Sequence, residues 1–170
     1  VKANKDVTFT STGGVITTNG TVIAETGKVE ATAQSDITAV GAVQAKNNVT
    51  LLSKGGAITT ESTVTSVAGS IGATANGNVT TNAALSARQG AISLTSNTSS
   101  VAVKAEATAK DDVTLKAEAG NVAINGAVTS TEQNVIATAK DTVTTTADVK
   151  ANKDVTVTST EGAISTGGAV

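Results

Sequence analysis

The sequence predicts an all-β fold: a right-handed parallel β-helix (β-solenoid) of about eight rungs, each of about 21 residues and three short strands. Three observations predict it. β-Branched anchors recur in three columns that stay in phase along the chain. Apolar and polar residues alternate at period two beside each anchor, as in a strand with one face buried. Between the alternating segments lie Gly, Asn, Asp and Lys, residues suited to corners.

The first column runs Val7, Val29, Val49, Ile71, Ile92, Val113, Val135 and Val155, in steps of 20 to 22 residues. The second runs Ile16, Ile37, Ile58, Val79, Val101, Val122, Val143 and Ile164. The third runs Val22, Val43, Val64, Leu85, Ala107, Val128, Val149 and Val170. Low complexity alone would not hold three columns in register.

Beside the first anchor, alternation places Phe9, Ala31, Leu51, Ala73, Leu94, Leu115, Ala137 and Val157 on the inner face. The next inward column is always small: Ser11, Ala33, Ser53, Ala75, Ser96, Ala117, Ala139 and Ser159. The third segment has its own small column: Ala3, Ala24, Ala45, Ser66, Ala87, Ala109, Ser130 and Ala151. Corners fall at Asn4-Lys5-Asp6, Thr12-Gly13-Gly14 and Asn19-Gly20. Parallel pairing of like strands sets a rise of about 4.8 Å per rung, hence a rod of roughly 40 Å. Parallel crossovers are right-handed almost without exception, which gives the expected hand. Helix is disfavoured by the Thr and Val content and by the lack of a 3.6-residue period.

A longer repeat overlies the rungs. Val1–Gly20 aligns with Val149–Gly168 at an offset of 148 residues, about seven rungs, and 15 of the 20 positions are identical. Such a duplication, with a start and end in mid-repeat, reads as a single solenoid segment, residues 1–170, taken from a longer repetitive protein.

Composition limits the chemistry. Thr (32), Ala (29), Val (22), Gly (16), Ser (14) and Asn (12) fill 125 of 170 positions, and Pro, Cys, Met, His, Trp and Tyr are absent. Without His or Cys there is no Cys/His zinc site, no Cys nucleophile and no Ser-His-Asp triad. Phe9 is the one aromatic, so no stacking platform for bases or sugars exists. Net charge is −2 and the charges are interspersed, which gives no footprint for nucleic acid. No apolar run approaches the length of a membrane span. No cofactor, metal or catalytic residue is expected.

Four Asn-x-Ser/Thr sequons occur, at Asn19, Asn48, Asn78 and Asn97. With 46 Ser plus Thr in 170 residues, 12 Asn produce roughly three by chance, so composition accounts for them. Asp111-Asp112 and the Lys/Asp pairs Lys5/Asp6, Lys110/Asp111 and Lys153/Asp154 lack the alternating carboxylates of a calcium loop and read as solvated corners. The acids are spread over different rungs and Arg88 is the one arginine, a poor basis for polysaccharide cleavage. The outward column beside Phe9 is the strongest candidate for a surface that binds: Thr10, Thr32, Leu52, Thr74, Thr95, Lys116, Thr138 and Thr158. Thr-x-Thr arrays on flat solenoid faces can order water or meet a regular surface. Leu52 and Lys116 break this array, as do Glu30 and Ile136 in the neighbouring column. Thr is also simply well suited to an exposed strand.

Laid out in columns, the segments Lys46–Val64, Lys110–Val128 and Asn152–Val170 resemble the repeat region of filamentous-haemagglutinin-like exoproteins, large bacterial surface adhesins secreted by the two-partner pathway. The resemblance covers the whole chain. It implies a β-helical shaft, export across the outer membrane, an extracellular location at the bacterial surface, and adhesion to host cells or other bacteria through regions carried on the shaft. The lack of Cys fits passage through an oxidising periplasm. The expectation is therefore a structural shaft or spacer, with the Thr-rich face as a direct binding surface (glycan, host surface or ice) as the alternative. End-to-end self-association through rung edges is a further expectation, since unpaired parallel strands invite pairing.

Overall fold

A computed structural model describes all of residues 1–170. The chain coils through three parallel sheets of eight strands each, and contains no helix. Face A carries the strands from Lys2–Ala3 and Val22–Ala24 up to Val149–Ala151. Face B carries five-residue strands from Val7–Ser11 to Val155–Ser159, and face C three-residue strands from Ile16–Thr18 to Ile164–Thr166. Each strand pairs only with its counterparts one rung above and below.

The register matches the expected columns residue for residue. Val7 pairs with Val29, Ile16 with Ile37 and Val22 with Val43, and so on through the stack. Val170 is the exception to the third column, since it lies beyond the last strand. Alternation works as the strand period requires: one buried cluster of 38 residues runs the length of the coil. Phe9 points inward over Ala31 and packs, partly buried, on that cluster in the first of the eight rungs. A void of about 10 Å³ beside its ring, lined also by Ala31 and Ala39, marks where small residues underfill the first rungs.

Links between strands come in two lengths. All links from face C to face A have three residues. Links from A to B have three residues in rungs 1, 3, 6 and 8 and four in rungs 2, 4, 5 and 7. Links from B to C have four residues in rungs 1, 3, 5, 6 and 8 and three in rungs 2, 4 and 7. A long link at one corner thus accompanies a short one at the other in every rung except the fifth. This keeps the circumference nearly constant.

No residue has a positive φ, glycines included. The corner glycines therefore supply space rather than left-handed backbone. At Gly120 an added Cβ would lie 2.7 Å from the Ser99 carbonyl oxygen in the rung below.

Candidate functional site

The expected Thr ladder exists as a geometric object. Thr10 pairs with Thr32, Thr74 with Thr95, and Thr138 with Thr158, all on the outward side of face B. Leu52 separates Thr32 from Thr74, and Lys116 separates Thr95 from Thr138. Lys116 is tied to Glu118 at 2.6 Å and Lys28 to Glu30 at 2.9 Å, so ionic groups stand across the same face. The face joins the six threonines into one line but not into one uniform surface.

Face C holds a more regular array that the sequence reading passed over. Its outward column is Thr17, Thr38, Thr59, Thr80, Ala102, Ala123, Thr144 and Ser165. No charged residue interrupts it. The signal was present in the sequence: these are the middle residues of the segments that open with the second anchor column. The inner neighbours of the same strands carry Thr18, Thr60, Thr81 and Thr145, whose hydroxyls are buried and find no partner. These four fill the core with their methyl groups at positions where Val103 and Ile124 do the same.

Polar chemistry concentrates at the corners, where it serves the stack. Nine of the sixteen A-to-B and B-to-C links have four residues; the six serines of the small columns each precede one of these, and none precedes a three-residue link. Each accepts the N–H three residues on: Ser96 Oγ from Ser99 at 3.0 Å, Ser53 Oγ from Gly56 at 3.0 Å, Ser66 Oγ from Gly69 at 3.0 Å. Five also donate to a carbonyl in the short link one rung below, as Ser96 does to Gly77 at 2.8 Å and Ser130 to Asp111 at 2.7 Å. Ser159 does the same to Asp141. Five of the six serines stand where a long link lies over a short one, and Ala24 is the one such place without a serine. Ala87 and Ala117 sit where a long link stacks on a long one.

Asx and Ser side chains just before the strands form a second ladder. Asp6 accepts from the Lys28 N–H, Asn48 from Ser70, Asp112 from Asn134 and Asn134 from Asp154. Asp36, Asn78 and Asn121 do likewise at the corner before face C. Two sequon asparagines, Asn48 and Asn78, are thus engaged in corner bonding, while all four sequon residues are exposed. Asp148 completes the set. It accepts from Lys150 and from the Ala169 N–H, which hold its carboxyl below the ordinary range. Lys28 is held charged above the usual lysine range, first by its hydrogen bond to Glu30 and then by that carboxylate's charge.

No group of three or more Asp or Glu side chains converges as metal ligands would. The largest surface depression is an open groove along face A, lined by Lys2, Ile23, Glu25, Gln44, Lys46 and Val67. No helix is long and apolar enough to cross a membrane. No family model, curated protein or solved structure matches the chain.

Proposed function

We propose that this chain is a shaft, a rigid spacer segment of a large secreted bacterial surface adhesin that performs no catalysis and holds binding regions away from the cell. One observation carries the reading: three backbone ladders run unbroken through all eight rungs. A stack of this kind converts sequence length into reach, at about 4.8 Å per rung. The corner bonding supports it further, because serine and Asx side chains that could face a ligand are committed to joining one rung to the next. The partners in this reading are host-cell or bacterial surfaces met by regions outside these residues.

The test is to measure the parent protein by electron microscopy after adding one 148-residue block. The expected gain is seven rungs, about 34 Å, with ligand binding by the rest of the protein unchanged. An unchanged length, or loss of ligand binding, refutes the spacer role.

The uncharged column on face C favours one alternative, a Thr-lined surface that binds directly to glycan, host surface or ice. Thr38→Lys with Thr80→Lys would abolish such binding and leave a spacer unaffected.

A further inference from the structure

The residues that break the threonine array of face B make that face complementary to a second copy of itself. Each strand there turns its second and fourth residues outward, flanked by the residue just before the strand and the residue just after it. Lys28 and Glu30 stand at these positions on rung 2, Lys54 on rung 3, Asp112, Lys116 and Glu118 on rung 6, and Lys140 on rung 7. Rungs 4 and 5 are the two that carry no charge at any of them.

Gly72, at the middle of this face, is the odd residue. It is an outward position inside a five-residue strand, in unbroken register with Thr50 and Ser93. Its φ is not positive, and a Cβ there would meet nothing within 4 Å. Neither a turn, a bulge nor crowding within the chain calls for glycine. The remaining reason for one inside a strand is close approach by another backbone.

We propose that two copies of this chain pair through face B, with coil axes antiparallel, about a two-fold axis that runs along the rung 4 strand. Each outward residue of rung 4 then faces its own copy, so Gly72 meets the partner's Gly72 and lets the two sheets close in. Rungs 2 and 6 face each other twice by symmetry. Lys28 stands opposite the partner's Asp112, and Glu30 stands one outward step from the partner's Lys116, a gap that two long side chains span. The Lys28–Glu30 pair at 2.9 Å and the Lys116–Glu118 pair at 2.6 Å thereby join into one row of alternating charge. Leu52 faces the partner's Thr95, whose methyl group gives it an apolar neighbour.

Other placements of the axis fail. Over rung 3, Lys54 faces the partner's Lys54; midway between rungs 3 and 4, Asp112 faces the partner's Asp6. Midway between rungs 4 and 5, Glu30 faces the partner's Ile136, and over rung 5 Lys54 faces the partner's Lys140. Parallel coil axes set Glu30 beside the partner's Glu30 and Lys116 beside the partner's Lys116. Like charges in facing positions repel, and a carboxylate pressed on an apolar side chain loses its water. With the axis over rung 4 the strands overlap across about 17 Å by about 34 Å, so the pair buries roughly 1,100 Å², just past the ~1,000 Å² of a specific interface. The charges set orientation more than they add affinity, which makes the dimer a weak one. The pairing does not rest on the shaft reading.

Sedimentation equilibrium of the full chain should show a monomer–dimer equilibrium. Gly72→Lys sets two like charges together on the axis. The new side chain meets nothing in its own chain, so circular dichroism and the urea midpoint should hold while the dissociation constant rises about tenfold or more. The chain has no cysteine, so introduced ones report the contact. On mild oxidation Thr74→Cys should link to its own copy, and a mixture of Leu52→Cys with Thr95→Cys should give more 52–95 link than 52–52 or 95–95, because a disulfide needs Cα atoms within about 7 Å. Thr80→Cys, outward on face C of the same rung, should stay unlinked. A monomer throughout the concentration series overturns the proposal. So does a dissociation constant that Gly72→Lys leaves unchanged, as association through rung edges would give, or a Thr80→Cys link as abundant as that of Thr74→Cys.

Discussion

Ser96 is the most direct test of the corner chemistry. Its side chain is fully buried, accepts from the Ser99 N–H at 3.0 Å and donates to the Gly77 carbonyl at 2.8 Å. Neither backbone group has another protein partner. Ser96→Ala removes both bonds and leaves two polar groups at a half-buried corner. A buried group left unpaired costs about 1–3 kcal/mol, and access of water to the corner places each loss near the low end, so the expected destabilisation is about 2 kcal/mol. Urea denaturation measures it, and amide exchange at Ser99 should accelerate more than at the strand amides of Leu94. The same logic gives an opposite-signed partner. Ala24 lies on a long link over the short link after Ala3, without a serine. The Gly27 N–H and Lys5 carbonyl there have no protein partner. Ala24→Ser should therefore stabilise the chain by about 0.5–1.5 kcal/mol. If Ser96→Ala costs under about 0.5 kcal/mol, below a typical hydrogen bond, or if Ala24→Ser destabilises, the corner rule is wrong.

Four further outcomes are expected. Leu94 is fully buried between Ala73 and Leu115, and the ladders hold its rung at fixed spacing, so Leu94→Ala should cost about 3–5 kcal/mol in urea denaturation. Ala73→Phe should cost about 1–3 kcal/mol or more by overpacking against Leu51 and Leu94, and a neutral result would place this column outside. Thr81→Val removes a buried hydroxyl without a partner and keeps the shape, so the thermal midpoint should rise by a few degrees. The Asp148 carboxyl has its pKa lowered, so its contribution is present above the ordinary value of 3.8 and is lost as pH falls through the depressed one. The protection factor of the Ala169 amide, which corrects for the intrinsic pH dependence of exchange, should fall only in that acid range, and a fall near neutrality would refute the assignment.

The fold was legible because anchor residues repeat with strand alternation between them. Val, Ile and Leu at three places per rung define which side faces in, and the register of Val7 on Val29 follows from stacking like on like. The corners were legible as corners, but their lengths were not read. Steps of 20 to 22 residues already encode them, since a rung lengthens or shortens only at two of its three corners. Ser66 and Ser130 were legible as small inward residues, not as hydrogen-bonding ones, because volume alone cannot distinguish Ser from Ala at a tight position. What separates them is the link that follows, four residues where Ser occurs, and that can be counted in the sequence. The face C column from Thr17 to Thr80 was missed for a different reason. A three-residue strand has one outward residue, so the period-two signal that marked Thr8 and Thr10 is too short to show there.

Link lengths also set a constraint on how such a coil can grow or shrink. Rungs 1 to 4 alternate between a long B-to-C link and a long A-to-B link, and rungs 6 to 8 alternate again. Strict alternation has a period of two, so after seven rungs rung 8 would be out of phase with rung 1. Rung 5, with two long links, shifts the phase by one and lets the seven-rung block repeat in register. Deletions test this. Removing residues 22–63 takes out rungs 2 and 3 and sets rung 4 on rung 1, long link over short, with Ser66 above the link after Ala3. Removing residues 22–42 takes out rung 2 alone and sets rung 3 on rung 1, long over long, so Ser53 loses the Ser35 carbonyl it now holds at 2.7 Å. The single-rung deletion should therefore be less stable than the two-rung deletion, although it retains more of the core. The difference expected is about 1–3 kcal/mol, the cost of one or two buried polar groups left unpaired. If the shorter chain is the less stable, stability follows rung number and the phase of the links has no energetic weight.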